Sequence, residues 1–166
     1  MVQMTHVYER VFLKCPYAQA REYLRESLEP AVRDRRTHLV ALTSPARPAT
    51  LEKKVLVRYE EGRDPMRFDE PWRIFWTPEG GGPYPDFGGE IIVRADEAHR
   101  GAVLELQGDY APPRGEIGKA FDMVLGAKIA VATARTLLEQ IGSQMEARFE
   151  QEQTDRDALN AVARKL

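Results

Sequence analysis

The sequence predicts an α+β domain in which a curved antiparallel β-sheet wraps around a long C-terminal α-helix, with a short helix after the first strand. Six segments alternate apolar and polar residues with the period of two that half-buried strands show. The links between the last five segments are too short for crossover helices, so these strands are expected to pair as an antiparallel meander. After the last strand the period changes to that of an amphipathic helix.

Each element follows from its local pattern. Residues 5–14 alternate as the first strand, which Cys15 and Pro16 end, and residues 17–28 carry apolar side chains at helical spacing. The other strands are expected at residues 36–43, 51–60, 71–77, 87–96 and 101–110. From Glu116 onward, a helix would place one apolar stripe on the dry face of the sheet, formed by Met123, Ala127, Ala130, Ala134, Leu137, Leu138, Ile141 and Met145.

Length and composition predict a single domain. Of the 166 residues, we expect 1–150 to form the domain and 151–166 to form a polar tail, either a short helix or a frayed end. Thr154 and Asp157 have capping-box spacing within this tail. Twenty-four basic against 26 acidic residues leave no positive excess for a phosphate backbone, so nucleic acid is not an expected partner.

The sequence also indicates the cellular compartment of the protein. No run approaches the roughly 18 apolar residues of a transmembrane segment, and the N-terminus lacks the continuous apolar block of a secretory signal. The single cysteine, Cys15, cannot form an intramolecular disulfide. A cytoplasmic protein without a transmembrane segment is therefore expected.

The junction between the last strand and the long helix has a distinctive composition, LELQGDYAPPRGEIGKAFDMVLG from residue 104 to residue 126. Pro112 and Pro113 lack backbone donors and end strand pairing, while Gly115 and Gly118 allow the chain to turn back over the sheet. Neither Lys-Ser nor Lys-Thr follows these glycines, and Glu116 stands at the helix start, so a phosphate-binding loop is not expected.

This order of elements resembles the START-like, or Bet v 1-like, superfamily, also called SRPBCC, whose members have a helix-grip fold. The resemblance covers residues 5–148 and rests on Leu13, Pro16, Leu104, Leu106, Gly108, Tyr110, Pro112, Pro113, Gly115 and Gly118. It implies a hydrophobic cavity between sheet and C-terminal helix, since members bind lipids, sterols or plant hormones, cyclise polyketides, or assist other proteins. Members of the superfamily usually have seven strands, whereas this sequence predicts six. The superfamily has no shared catalytic residue that could be assigned to a position in this chain.

Strand parity places several aromatic residues on the dry face, opposite small residues of the long helix. The predicted ligand-binding residues are Tyr59, Trp72, Trp76, Tyr84, Phe87, Leu106, Tyr110, Ala130 and Ala134. Buried tyrosine hydroxyls need partners, so Tyr59 and Tyr110 are the preferred groups for orienting a small hydrophobic or aromatic, lipid-like ligand. The same residues also suit an ordinary core, and Ala130 and Ala134 indicate either close packing or space beneath the helix.

Glu9 and His38 are the polar candidates for this pocket. Glu9 lies on the same side of its strand as Val11 and Leu13, so it is a general base, the partner of an arginine, or a residue at a fraying strand end. His38 alternates with apolar neighbours and is either a core or rim histidine or a proton shuttle. Together with the two tyrosines, they would serve a polyketide cyclase or aromatase. The histidines lack metal-ligand spacing, and neither a metal nor another cofactor is expected.

Two further features have open interpretations. Residues 77–89, TPEGGGPYPDFGG, form either a lid over a cavity mouth, with Tyr84 or Phe87 as a plug, or a merely long hairpin. Tyr8 and Phe12 have the opposite parity to Val11 and would lie on the exterior, where a contiguous apolar patch would indicate a co-chaperone-like module that binds proteins. A homodimer is among the assemblies considered.

Overall fold

A computed structural model of the chain describes residues 5–33, 38–43, 52–62, 66–81, 86–111 and 123–164. The elements in chain order are β1 (Thr5–Leu13), α1 (Tyr17–Arg33), β2 (His38–Thr43), β3 (Glu52–Glu61), β4 (Trp72–Pro78), β5 (Asp86–Asp96), β6 (Gly101–Ala111) and α2 (Met123–Ala163). A helix after the first strand, an antiparallel sheet and a long C-terminal helix confirm the predicted helix-grip α+β class.

The described strands form one six-stranded antiparallel sheet with the order β1-β6-β5-β4-β3-β2. Strands β2 to β6 are the predicted meander. The first strand pairs along the last one, from Thr5 opposite Tyr110 to Leu13 opposite Ala102. This pairing joins the first strand to the last one and leaves β1 and β2 as the edges of the sheet.

One face of the sheet, which we call the inner face, packs against both helices. α1 contacts β3 and β5, whereas α2 contacts β1 and β6, and the two helices contact each other. The buried strand residues of the core are Val7, Leu13, Val55, Val57, Tyr59, Trp72, Ile74, Trp76, Phe87, Ile91, Val93, Ala102, Leu104, Leu106 and Tyr110. Their period of two follows from the alternation of side chains along each strand.

α1 is longer than the sequence pattern predicts. It begins where the backbone N–H of Ala20 donates to the carbonyl of Pro16 at 2.8 Å, and it continues through Pro30 to Arg33. Proline inside a helix removes one backbone donor, so an end near residue 28 is the local expectation. Leu28 and Ala31, on either side of Pro30, are both buried, so core packing offsets the lost bond.

α2 runs without a break for 41 residues, so the expected boundary at residue 150 does not interrupt it. Thr154 lies inside this helix, where its Oγ1 donates to the carbonyl of Glu150 at 3.0 Å instead of capping a new helix. The buried stripe contains Ala130, Ala134, Leu137, Leu138, Ile141 and Met145. The predicted helix start at Glu116 and the junction residues Pro112 to Gly118 lie outside the described residues.

α2 runs alongside β1 in the same direction. Arg135 contacts Glu9, and a Cβ added to Gly142 would lie 3.3 Å from Cδ2 of Leu13. With rises of about 1.5 Å per helical residue and about 3.3 Å per strand residue, Ala134 lies about half a strand residue, and Ala130 about two strand residues, further toward the start of β1 than Arg135 does. Within the described ranges, neither helix has a stretch of the length and hydrophobicity that a membrane crossing requires.

Candidate functional site

The register of the sheet collects predicted site residues into rows that cross the inner face. Trp76 of β4 lies opposite Phe87 of β5, and Phe87 lies opposite Tyr110 of β6. A second row lies nearer to α1. Across the sheet from β4 to β1 it consists of Trp72, Ile91, Leu106 and Glu9. Residues that are far apart in the sequence therefore share two neighbouring strips of one surface.

A third row separates these two and contains a pair of glycines. Tyr59 of β3 lies opposite Ile74, which is followed across the sheet by Gly89, Gly108 and Val7. The Phe87 ring covers the glycine pair. A Cβ added to Gly89 would lie 2.7 Å from Cζ of Phe87, and one added to Gly108 would lie 2.6 Å from it. The two glycines thus provide the space in which this ring lies against the sheet.

Phe87 and Trp76 stack face to face. Their ring centroids are 3.8 Å apart, and the planes differ by 9°. Phe87 is buried within β5, so the interpretation of this residue as a plug in a loop is wrong. The physical reason is that Phe87 pairs with Tyr110 in the sheet and stacks on Trp76, which holds its ring in the core.

Trp76 has an unusual polar atom. Its side chain is 1 % exposed, and its indole Nε1 has no hydrogen-bond partner among the residues that the structure describes. By contrast, the hydroxyl of buried Thr133 on α2 donates to the carbonyl of Ile129 at 2.7 Å. A buried N–H without an acceptor is rare in folded proteins.

The two tyrosines chosen as orienting groups are both buried on the inner face. Burial raises the pKa of Tyr59 well above its ordinary value, so its hydroxyl stays protonated at neutral pH. Ala130 and Ala134 are fully buried on the facing side of α2. All four occupy the interior that the sequence predicts for them.

Glu9 faces α2 and is paired with an arginine. Arg135 donates from Nε to Oε2 of Glu9 at 3.1 Å and from Nη2 to Oε1 at 3.3 Å. The Glu9 side chain is only 14 % exposed, whereas that of Arg135 is largely exposed. Of the three sequence-based alternatives for Glu9, the structure contains the ion pair with an arginine.

The remaining polar candidates do not gather around a common point. The backbone of His38 pairs with that of Val57, while the His38 side chain and the whole of Tyr84 lie outside the described residues. His6 and His99 are exposed and contact Asp109 and Asp96, respectively. In the described part of the chain, no group of three or more His, Cys, Asp or Glu residues is placed to hold a metal ion.

A cavity of about 1010 Å³ lies between α1 and the segment that connects β3 to β4. Leu24 of α1, Trp72 of β4 and Val93 of β5 are buried and form its apolar floor. Of the predicted site residues, Trp72 lines this cavity. The rim is polar and is lined by Arg21, Glu22, Arg25, Glu61, Arg67, Asp69 and Glu70.

Ion pairs hold the rim together. Arg67 donates to Oδ2 of Asp69 at 2.8 Å and to Oε2 of Glu90 at 2.7 Å, and the hydrogen bond from Arg67 lowers the pKa of Asp69. Arg21 of α1 contacts Glu70, which fastens the connecting segment to the helix. Phe68 stands beside these charges with 91 % of its surface exposed. This rim was not predicted from the sequence, although charged residues are dense between residues 60 and 70.

The outer face carries the two exposed aromatic residues that the sequence places there. Phe12 is 60 % exposed, and Tyr8 donates its hydroxyl to Glu105 at 2.8 Å. Arg10 lies between them on the strand, with its guanidinium 5.3 Å from the centroid of the Phe12 ring. A charged side chain therefore interrupts the apolar surface.

No protein-family model matches the sequence, and no curated protein matches it. Solved structures resemble the fold. The protein TTHA0849 from Thermus thermophilus has a TM-score of 0.53 and 16 % identity, and the match covers 87 % of this chain and 99 % of that one. Ara h 8.0201 has a TM-score of 0.50 and 12 % identity, with 88 % and 97 % covered. The Zhui aromatase/cyclase from Streptomyces sp. R1128 has a TM-score of 0.53 and 19 % identity, with 89 % and 96 % covered. At such identities the likeness concerns the fold alone, and the chain shares a helix-grip fold with these structures.

Proposed function

We propose that the protein binds a small, largely apolar or aromatic molecule between the inner face of its sheet and its helices. The observation that carries this proposal is the cavity of about 1010 Å³ above Leu24, Trp72 and Val93. Pockets for small molecules have volumes of about 300 to 1,000 Å³ and are lined mainly by apolar side chains with a few polar groups. The apolar floor suits the body of such a ligand, and the paired charges of the rim suit a polar end.

An enzyme of the polyketide cyclase or aromatase type is the second candidate. Its support is the fold-level likeness to the Zhui aromatase/cyclase, which covers 89 % of this chain. The proton-transfer groups would come from Glu9, His38, Tyr59 or Tyr110. The bonds from Arg135 to Glu9 oppose the use of that carboxylate as a general base, because they hold both of its oxygens toward the helix.

A matched pair of substitutions tests the binding proposal. Ala18 is an exposed residue of α1 that lines the cavity, whereas Ala158 is an exposed residue near the end of α2. Ala18→Trp should obstruct the cavity and weaken binding of the fluorescent probe anilinonaphthalene sulfonate by about tenfold or more, as expected for a clash in a binding pocket. Ala158→Trp should leave the dissociation constant within about twofold. Equal affinity in both variants, or no binding to the wild type, would contradict the proposal.

The predictions about protein partners, oligomeric state, cellular location and nucleic acid can each be tested directly. A protein-interaction module receives less support, because Arg10 interrupts the exposed pair Tyr8 and Phe12. Light scattering would distinguish a homodimer from a single chain. Cell fractionation would test the expected cytoplasmic location, and a gel-shift titration with duplex DNA would test the expected lack of nucleic-acid binding.

A further inference from the structure

We propose that the indole N–H of Trp76 donates a hydrogen bond to an acceptor oxygen of the bound ligand, so that the protein selects apolar or aromatic molecules that carry a carbonyl or a comparable acceptor. This inference rests on the proposed function and requires the ligand to extend from the cavity floor at Trp72 along the inner face to Trp76, four residues further along β4. It assigns Trp76 the role of a specificity-determining residue.

The first step is the state of the Trp76 nitrogen. Among the described residues, Nε1 of Trp76 is the single buried side-chain nitrogen or oxygen atom without a hydrogen-bond partner. An indole N–H can only donate, so nothing but an acceptor can satisfy it. Leaving a buried donor unpaired destabilises a fold, and native proteins pair almost all such groups. An acceptor that is not one of the described residues is therefore the expected partner.

The second step is the chemistry of the surroundings. The cross-strand neighbours of Trp76 are Val57 on one side and Phe87 on the other, and neither side chain has an acceptor atom. A buried water needs two to four polar partners, which these neighbours do not supply. A carbonyl oxygen of a ligand needs only the one donor, and the apolar remainder of the ligand suits the hydrocarbon surroundings.

The third step is the rigidity of the donor. The Phe87 ring lies parallel to the indole at 3.8 Å, and Gly89 and Gly108 let that ring lie against the sheet. Stacking restricts rotation of the Trp76 ring, so its N–H points in a defined direction before a ligand arrives. A preoriented donor gains affinity because less side-chain freedom is lost on binding.

Two probes of the same shape separate the hydrogen bond from hydrophobic contact. Acetylnaphthalene carries a carbonyl oxygen, and isopropenylnaphthalene, substituted at the same position, carries a CH₂ group in its place. We expect the wild type to prefer the ketone, and Trp76→Phe to lose about tenfold of that preference, the effect of one buried hydrogen bond. Tyr8→Phe, which removes a hydrogen-bond donor from the exposed outer face, is the control and should retain the preference.

A spectroscopic measurement does not depend on the folding of Trp76→Phe. The chain has two tryptophans, and the wild-type indole N–H resonance that persists in Trp72→Phe is that of Trp76, so the titration itself uses the wild type. The ketone should move this proton resonance downfield, because a hydrogen bond deshields the proton. The alkene should leave it nearly unchanged.

The outcomes distinguish this inference from the proposed function. If both probes bind equally well and the indole resonance does not move, the protein is a binder but Trp76 is not its donor. If Trp76→Phe keeps the preference for the ketone, another group recognises the oxygen and the inference is wrong. If neither probe binds the wild type, the proposed function fails and the inference fails with it.

Discussion

Arg135 of α2 contacts Glu9 of β1 through two hydrogen bonds, of 3.1 Å and 3.3 Å, and this contact joins the C-terminal helix to the first strand. The carboxylate lies in the row of the inner face that also holds Leu106. A charge placed so close to the core needs a partner, and the helix supplies it. Glu9 therefore has a structural role that its sequence position alone did not determine.

Glu9→Gln should lower the melting temperature, and the difference from the wild type should shrink in molar salt. Because Arg135 is largely exposed, dissolved salt can screen its attraction to the Glu9 carboxylate. Thermal unfolding followed by circular dichroism at low and high salt measures this difference in melting temperature. Glu150→Gln, which removes an exposed carboxylate from the same helix, is the control and should change the melting temperature less. A salt-independent difference would mean that packing, not charge, explains the effect.

Tyr23→Phe should lower the unfolding free energy by about 1.5 kcal/mol at neutral pH, as expected for a bond to a charged acceptor. The Tyr23 hydroxyl of α1 donates to Oε2 of Glu152 on α2 at 2.6 Å, so this bond joins the two helices beyond the predicted domain end at residue 150. Urea unfolding measures the loss. Tyr8→Phe, which removes a similar bond from the exposed outer face, should cost less.

The same bond predicts a pH dependence. Burial, reinforced by the bond to Glu152, raises the pKa of Tyr23 from 10.0 to about 12. Since the folded state favours the protonated phenol, its stabilisation is complete below the unfolded pKa and is lost as the pH rises through the folded one. The stability gap between wild type and Tyr23→Phe should therefore narrow between pH 10 and pH 12. A gap that stays constant over this range would contradict the assignment.

Gly108→Ala should destabilise the fold by more than about 2 kcal/mol, because its Cβ has no space. That atom would lie 2.5 Å from Cα of Gly89 and 2.6 Å from Cζ of Phe87. Gly88→Ala is the control on the neighbouring strand, since its Cβ would meet the Phe75 ring at 3.4 Å, an ordinary contact. It should change stability by less than about 1 kcal/mol. Chemical denaturation compares the two, and equal losses would refute the role of the glycine pair.

Cys15 should react with an aromatic disulfide reagent only slowly in the native protein at pH 8. The thiol is fully buried, and burial together with the charge of Glu146 raises its pKa to about 11. The thiolate is the reactive form, so both access and ionisation oppose the reaction. Denaturant should release one reactive thiol per chain. Rapid labelling of the native protein would show that the end of β1 opens readily.

Periodicity in the sequence was sufficient to predict the fold class. Side chains alternate across a strand and repeat every three or four residues along a helix, so burial leaves a local pattern in residues 51–60 and in the stripe from Ala130 to Met145. The inward position of Tyr59, Trp76 and Tyr110 followed from the same parity. The fold class and the inward position of a side chain depend only on which face of its own segment is buried. They can therefore be predicted from the sequence without knowing which strands are neighbours.

The candidate site depended on contacts between distant residues. Only the register places Trp76 beside Phe87 and Phe87 beside Tyr110, and only the packing of α1 on the segment between β3 and β4 encloses the cavity above Trp72. The continuation of α1 through Pro30 likewise required the burial of Leu28 and Ala31. Such features are absent from local patterns because their free energy comes from surfaces that meet only when the sheet and both helices are assembled.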